Sequence, residues 1–439
     1  MAGLCLFQGE RFVILTDTAL AKRLQANNPV RVAMVGAGYM SQCIALQIIQ
    51  ATPGMRLVAI SNRTPAKAEQ VFRDAGVNET VRASTAAALE NAISRNQYVV
   101  TDDPSIIWEA GSVEAVIEVT GDPEFGTRVA YESLCHGKHV IMLNAEVDAS
   151  VGAILKTYAD RSGVVYSYTD GDEPGVMMNL FRLVESMGCK PMLVGQLKGM
   201  LDRYRTPATQ REFAEKFNVN AAIVSSFADG SKLNLESAIM GNATGFSPAI
   251  RGMHGHPCAH VKDLMGKFNL DDFKGGGLVE YVLGAEPHTG AFVMAYNEQP
   301  VRGKLLAYLK MGAGPFYMFY TPYHLPPMQL PHSVARAVLF NDPTITPRGA
   351  PTCDTIAYAK RDLKTGERLD GMGGFTNYGL VDKYAVCRKG DFLPMAVSLD
   401  CTMKRDIPKD QPITYADVSL PRDRMVDKLR AEQIARFPL

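Results

Sequence analysis

The stretch Val30-Arg-Val-Ala-Met-Val35 runs into Gly36-Ala-Gly38 and then into Tyr39-Met40-Ser41-Gln42, with helix-forming residues as far as Gln50. The apolar and small residues up to Val35 predict a buried strand. The two glycines predict a tight turn, and the residues after them predict a helix. A helix start offers N–H groups without partners and the positive end of the backbone dipole, so a pyrophosphate is expected there. In such a turn Gly36 allows the chain to reverse and Gly38 lets the backbone approach the phosphates. The third small position is Ser41, still compact enough for close helix–strand packing. Tyr39 and Met40 then open the helix beside the phosphates. A glycine pair alone occurs in many loops; the strand before it and the helix after it point to a dinucleotide site.

A second strand is predicted over Met55-Arg-Leu-Val-Ala-Ile60, ending in Ser61-Asn62-Arg63-Thr64-Pro65. An NAD-binding fold places a carboxylate at this strand end, on the ribose 2′-hydroxyl. None is present. Arg63 stands 25 residues after Gly38 instead, with Asn62 and Thr64 beside it. A guanidinium suits a 2′-phosphate through charge-assisted, bidentate bonds, so NADPH is expected; a solvated surface arginine is the plainer alternative.

Further strands are predicted at Tyr98–Thr101, Ala115–Thr120, Lys138–Leu143 and Val164–Thr169, alternating with helices. That alternation predicts an α/β fold with a doubly wound parallel sheet. Ligands bind at the carboxyl ends of such strands, so Thr120, Asn144 and Glu146 are expected around the nicotinamide. The last of these strands ends in Asp170-Gly171-Asp172-Glu173-Pro174. Three carboxylates this close repel one another unless a cation sits among them. Asp170, Asp172 and Glu173 are therefore candidate ligands of a divalent cation, Mg or Mn, and Asp170 and Glu173 candidate substrate contacts. Helix capping ahead of Pro174 is the competing explanation.

The middle of the chain is expected to be an α+β catalytic and oligomerisation domain over 188–330. It starts with a strand from Pro191 into Lys198-Gly199-Met200, followed by a polar helix over 207–217. Asp229-Gly-Ser-Lys232-Leu-Asn-Leu-Glu236 puts Lys232 and Glu236 four residues apart, on one face of a helix. Lys198, Asp229, Lys232 and Glu236 are the candidate catalytic set. Arg203, Arg205 and Arg251 are candidates to hold a substrate phosphate. His254-Gly-His256 and His260 match no familiar zinc spacing and read as a contact loop rather than a metal site. Beyond it a hairpin-rich stretch is expected over 279–293, a strand over 304–310, a proline-rich aromatic loop over 316–331 and a return helix from Pro331. The last 90 or so residues, from 350, read as a small β-rich domain. In it Ala359-Lys-Arg-Asp-Leu-Lys-Thr-Gly-Glu-Arg-Leu-Asp370 and Met403-Lys-Arg-Asp-Ile-Pro-Lys-Asp-Gln-Pro-Ile-Thr414 echo one another.

The chain has 439 residues, enough for two or three domains, and its formal net charge is zero. No basic excess invites nucleic acid, and no apolar run reaches the roughly 20 residues of a membrane helix. Eight dispersed cysteines, none in a C-x-x-C pair, read as reduced thiols of a cytoplasmic protein.

Asn144-Ala-Glu146-Val-Asp148 after a strand, Asp229-Gly-Ser-Lys232 on a helix, and the return segment Gly312 to Asp342 together resemble the homoserine-dehydrogenase-like oxidoreductases. The echoing tail resembles a SAF domain. The family that joins the two includes a 1-deoxy-D-xylulose 5-phosphate reductoisomerase-like enzyme. The resemblance implies a nucleotide domain over 1–187 completed by a return helix at 331–345, a catalytic domain at 188–330 and the SAF-like domain at 350–439. It also implies that Lys232, after Asp229, shuttles a proton. Lys198-Gly199-Met200 replaces the family's N-G-T turn, and the added cation suits a phosphorylated substrate. The expectation is therefore an NADPH-dependent reductoisomerase of isoprenoid precursor synthesis, acting on a small phosphorylated sugar as a homodimer or higher homo-oligomer. A dehydrogenase of homoserine type on a polyol, sugar acid or amino-alcohol is the first alternative. A non-catalytic nucleotide- and sugar-binding regulator is the second.

Overall fold

The computed structural model describes residues 15–439, so Cys5 and the start of the expected nucleotide domain lie outside the described residues. Seven parallel strands form the first sheet: β1 (Val30–Val35), β2 (Met55–Ser61), β3 (Val81–Arg82), β4 (Val99–Thr101), β5 (Ala115–Glu118), β6 (His139–Met142) and β7 (Tyr166–Tyr168). Their order is β3-β4-β2-β1-β5-β6-β7, the doubly wound arrangement expected from the alternation of strands and helices. Helices cover both faces, so the central strands are buried on both sides and read as nearly unbroken apolar runs. Chain order reverses beside β1. There Gly36, at φ +121°, turns the chain into the helix Tyr39–Ala51.

The second sheet is mixed, in the order β12-β11-β8-β10-β9. Its strands are β8 (Lys190–Lys198), β9 (His256–Pro257), β10 (Leu278–Leu283), β11 (Ala291–Tyr296) and β12 (Phe316–Thr321). The stretch expected as a hairpin does not pair with itself. β8 lies between its two strands, parallel to β10 and antiparallel to β11. Lys304–Lys310 is not a strand either, because a helix spans Pro300–Tyr308. Pro300 sits in its first turn and the Gln299 side chain accepts from Arg302 N–H at 2.8 Å, start signals that outweigh the apolar run. The aromatic loop contributes strand β12, and the return helix begins earlier than expected, at Pro326, and ends at Phe340. That helix lies against Tyr39–Ala51, and Tyr168 of β7 pairs with Ile345 just beyond it.

The two echoing segments of the tail pair with each other. Leu363 and Ile407 exchange both backbone hydrogen bonds, at 2.8 and 3.0 Å. Thr365 N–H donates to Asp406 Oδ1 at 2.8 Å, and at the matching place Lys409 N–H donates to Asp362 Oδ1 at 2.8 Å. The arms are thus related by an approximate two-fold. Strands β13 (Cys353–Ala359) and β14 (Asn377–Lys383) form an antiparallel ladder against the helix Ser231–Thr244; β15 (Thr402–Met403) and β16 (Val418–Ser419) form a smaller one. Tyr384–Lys389 is helical.

One apolar cluster crosses the expected boundaries at 187, 330 and 350: it includes Val147 and Ile154, Leu233 and Ile239, Val381, and Leu429. Met425–Arg436, the terminal helix, packs on the helix Ala145–Ser162 of the first sheet. All seven cysteines among the described residues are free, four of them buried. No helix among the described residues is long and apolar enough to cross a membrane.

Candidate active site

Asp172 and Glu173 follow β7, Lys198 ends β8, Lys232 and Glu236 share one helix, and His324 precedes the return helix. These six side chains meet where the carboxyl edge of the first sheet faces the second. Lys232 Nζ donates to Asp172 Oδ2 at 3.0 Å and to Oδ1 at 3.1 Å, and makes a very short bond to Glu236 Oε1. Lys198 Nζ donates to Glu173 Oε1 at 2.9 Å. His324 Nδ1 lies 3.3 Å from Glu173 Oε2 and 3.9 Å from Asp172 Oδ1. Tyr168 O–H donates to Asp172 Oδ2 at 2.6 Å, fixing that carboxylate from beneath. The Phe227 ring centre is 5.5 Å from Lys232 Nζ, and this ring is exposed.

Local sequence explains the convergence. Gly230, at φ +82°, turns the chain into the helix Ser231–Thr244, and the four-residue spacing puts Lys232 and Glu236 on the face toward β7. Asp172 is the N-cap residue of the helix Glu173–Ser186 but makes no side-chain cap bond. Its carboxylate goes to Tyr168 and Lys232 instead, so capping does not account for it.

The carboxylates are buried, and the lysine side chains keep 19% of their surface. Burial works against the Lys232 ammonium, but Asp172, Glu236 and Glu173 outweigh it and hold its pKa well above the ordinary lysine value. Burial likewise opposes a charge on Glu173, yet Lys198, His324 and Lys232 hold that carboxyl well below the usual range. Burial pushes Glu236 up to about 8, with Glu173 and Asp172 adding to the rise against Lys232 and Lys198. Burial and the neighbouring carboxylates thus leave Glu236 as the acid that keeps its proton most easily, beside the Lys232 ammonium. Glu236 Oε2 is buried and makes no hydrogen bond, which leaves it for a substrate oxygen.

The glycine turn has the expected strand–turn–helix form. A Cβ on Gly36 would stand 2.7 Å from Val119 O, so only glycine fits there; a Cβ on Gly38 would meet nothing, leaving its backbone open. Ser41 is fully buried and its Oγ accepts the Gly38 N–H at 3.1 Å. Tyr39 is exposed and Met40 half-buried on the same turn. At the end of β2, Asn62 Nδ2 donates to Thr64 O at 2.9 Å, while Arg63 is exposed and bonded to no other described residue. Thr120 N–H donates to the buried Glu118 Oε1 at 2.9 Å. Asn144 caps its helix through Val147 N–H at 3.3 Å and donates to Asp122 O at 3.2 Å. Burial lifts Glu118 to about 7 and Glu146, with help from Glu118 and Asp122, to about 8.

Other expected site residues lie elsewhere. Asp170 is not in the acidic group: its Oδ1 accepts from Asn179 Nδ2 at 2.8 Å and Gly171 N–H at 2.7 Å, and its own N–H donates to Ser333 Oγ at 2.7 Å, tying the turn to the return helix. His324 takes its place beside Asp172 and Glu173. Asp229 does not touch Lys232; its Oδ2 accepts from Lys360 Nζ at 2.7 Å. Arg205 pairs with Asp202 at 3.1 Å, Arg251 with Asp382 at 2.7 Å, and Arg203 lies over the Tyr378 ring. None of the three arginines makes an ion pair or hydrogen bond with a residue of the cluster. His254, His256 and Glu280 stand close enough to share an ion. The Glu280 carboxylate, however, already accepts N–H bonds from His254, Gly255 and Tyr281 at 2.9–3.0 Å, the work of a loop-ordering group.

His324 and Tyr168 were not singled out in the sequence. One sits in a proline-flanked loop and the other in an ordinary strand pattern, and only the approach of two sheets gives either a role.

Residues 171–330 match the family described as "Oxidoreductase DRL, catalytic domain", a span that contains all six clustered residues. Residues 19–125, with the glycine turn, match shikimate / quinate 5-dehydrogenase. Among solved structures, apo scyllo-inositol dehydrogenase from Lactobacillus casei is 12% identical, covering 72% of this chain and 89% of its own at a TM-score of 0.42. DOX-P reductoisomerase in complex with magnesium is 12% identical over 71% of this chain and 80% of its own, TM-score 0.36. Myo-inositol 2-dehydrogenase from Lactobacillus plantarum is 11% identical over 66% and 76%, TM-score 0.36. No curated protein matches the sequence. Both family matches are to oxidoreductases, and the chain has a Rossmann-type parallel sheet with a mixed sheet in a second region.

Proposed function

We propose that this chain is an NADPH-dependent reductoisomerase converting 1-deoxy-D-xylulose 5-phosphate to 2-C-methyl-D-erythritol 4-phosphate. The observation that carries the reading is the buried, ion-paired cluster of Lys198, Lys232, Asp172, Glu173, Glu236 and His324 at the carboxyl edge of a Rossmann-type sheet. The match of this region to an oxidoreductase catalytic domain supports it.

Rearrangement of the sugar skeleton develops negative charge on substrate oxygens. The Lys232 ammonium, permanently charged and partly withdrawn from water, stabilises that charge as it appears. Glu236, protonated up to about pH 8, gives a proton to an oxygen beside it and takes one back in the reverse direction. Lys198 holds Glu173 in place, and Tyr168 does the same for Asp172. Phe227 shields one side of Lys232.

A divalent cation fits this site. Asp172, Glu173 and His324 each offer a ligand atom within 4.8 Å of the others, and Glu173 Oε2 and His324 Nδ1 are buried without hydrogen-bond partners. A cation there would supply a Lewis acid for a substrate carbonyl or alkoxide. The glycine turn would hold NADPH along its open backbone, and Arg63, exposed at the end of β2, would meet the 2′-phosphate; the cofactor would supply the two electrons of the reduction.

One observation favours a second reading. The three candidate arginines are engaged away from the cluster, so none of them stands beside it to meet a phosphate. A dehydrogenase acting on an uncharged polyol would need no arginine there. Loss of reduced-nicotinamide absorbance with the sugar phosphate and Mg or Mn, set against oxidation of NAD(P) by a polyol panel, decides between them. Absence of turnover with the sugar phosphate while a polyol reacts would sink the lead reading.

A further inference from the structure

Lys360 follows β13 in the C-terminal segment, and its side chain is 2% exposed. All three of its ammonium protons are used: on Asp229 Oδ2 at 2.7 Å, on Arg205 O at 2.8 Å and on Gly374 O at 2.7 Å. Asp229 is itself buried, and its other oxygen accepts the Ser231 N–H at 2.8 Å. Ser231 opens the helix that carries Lys232 and Glu236. The same helix is held to β14 by Gly379 N–H on Ser231 Oγ at 3.0 Å and Val381 N–H on Asn234 Oδ1 at 2.9 Å.

The internal repeat supplies a control. Lys404 occupies in the second arm the place that Lys360 has in the first, and the surrounding hydrogen bonds of the two arms correspond. Lys404 is exposed. Pairing of the arms therefore does not require a buried lysine at this place. Burying an ammonium is costly unless every proton is bonded, so the burial of Lys360 reflects what it holds.

We propose that Lys360 is a positioning residue: through Asp229 it fixes the first turn of the helix Ser231–Thr244 and thereby the place of Lys232 between Asp172 and Glu236. This rests on the reading of the cluster given above. It assigns the C-terminal segment a part in building the active site, as the base on which the catalytic helix is seated.

The test compares Lys360→Met with the double variant Lys360→Met/Asp229→Asn. The single variant leaves Asp229 buried without its cation and is expected to lower Tm. The double variant removes both charges and keeps an amide oxygen for Ser231, so its Tm is expected to return close to that of the parent. Its kcat is expected to stay on the order of tenfold down with an unchanged cofactor KM, and the alkaline limb of its pH profile to move. Deuterium exchange at the amides of Ser231 to Asn234, measured without substrate, is expected to be faster in the double variant. Recovery of kcat together with Tm, or parental exchange at those amides, overturns the proposal. If the parent turns over neither the sugar phosphate nor a polyol, the reading of the cluster fails, and the exchange measurement alone still decides whether Lys360 sets this helix.

Discussion

Lys232 Nζ and Asp172 Oδ2 stand 3.0 Å apart although 60 residues of chain separate them. One comes from the turn after β7 of the first sheet and the other from the helix Ser231–Thr244, so their contact joins the two parts of the chain. Replacing Lys232 by Met removes the only cation among the described residues that is bonded to both Asp172 and Glu236. The expected result is a loss of turnover of about 100-fold or more with NADPH affinity retained. Steady-state rates and cofactor titration on the same preparation check it; a variant within a few-fold of the parent removes Lys232 from the mechanism.

A proton donated by Glu236, as proposed, would give the reaction a pH signature. Its carboxyl is lifted to about 8, so that proton is present at neutral pH and lost above that value. In the reductive direction kcat is expected to fall as pH rises through about 8. Glu236→Gln should lower the rate and abolish that limb. A limb that persists in the Gln variant assigns it to another group.

Stability is expected to fall with rising pH as well. Burial raises Asp148 to about 7, Glu118 to about 7 and Glu146 to about 8, all above their ordinary values near 4. The folded chain therefore binds protons that the unfolded chain has released, and the stability they contribute, full below about pH 4, is lost as pH climbs through 7 to 8. Asp148→Asn keeps the shape and removes one of these protons. Its Tm, followed from pH 5 to 9, should decline less steeply than the parent's.

Arg63 is exposed at the strand end where a 2′-phosphate would lie. Arg63→Ser is expected to weaken NADPH binding by about tenfold or more while leaving NADH within a few-fold. Equal effects on the two cofactors, measured by fluorescence titration, would make Arg63 an ordinary surface charge.

Chelation offers a separate check on Asp172, Glu173 and His324. Activity is expected to disappear with a chelator and return with Mg or Mn. His324→Gln should raise the cation concentration needed for half-maximal activity. A rate indifferent to chelator removes the cation from the reaction.

Local chemistry made much of this legible in the sequence. Gly36, Gly38 and the strand ahead of them carry their meaning within a few residues, and Lys232 with Glu236 follows from one helical turn. The acidic turn after β7 was visible as a crowd of carboxylates, but not which of them face the site. Asp170 and Asp172 differ only in direction, and that direction is set by Asn179 and Ser333 for one and by Tyr168 and Lys232 for the other. Asp229 misled for the same reason: three residues from Lys232 in sequence, it turns to Lys360, 131 residues away. Long-range partners of this kind leave no periodic trace. The strand order of the second sheet was hidden likewise, since β8 enters between β10 and β11 from far earlier in the chain.

The terminal helix has a bearing on how the protein is made. Ser150 O, in the helix after β6, accepts Arg430 Nη1 at 2.8 Å and Gln433 Nε2 at 2.9 Å, and Ile154 N–H donates to Gln433 Oε1 at 3.1 Å. A nascent chain that has reached residue 345 already has every strand of the first sheet, yet this helix still waits for its cover. The region of the first sheet is thus covered only by residues synthesised much later. Ribosome-bound chains halted before residue 425 are expected to be cut by protease near residues 145–162, and chains released after residue 436 to resist.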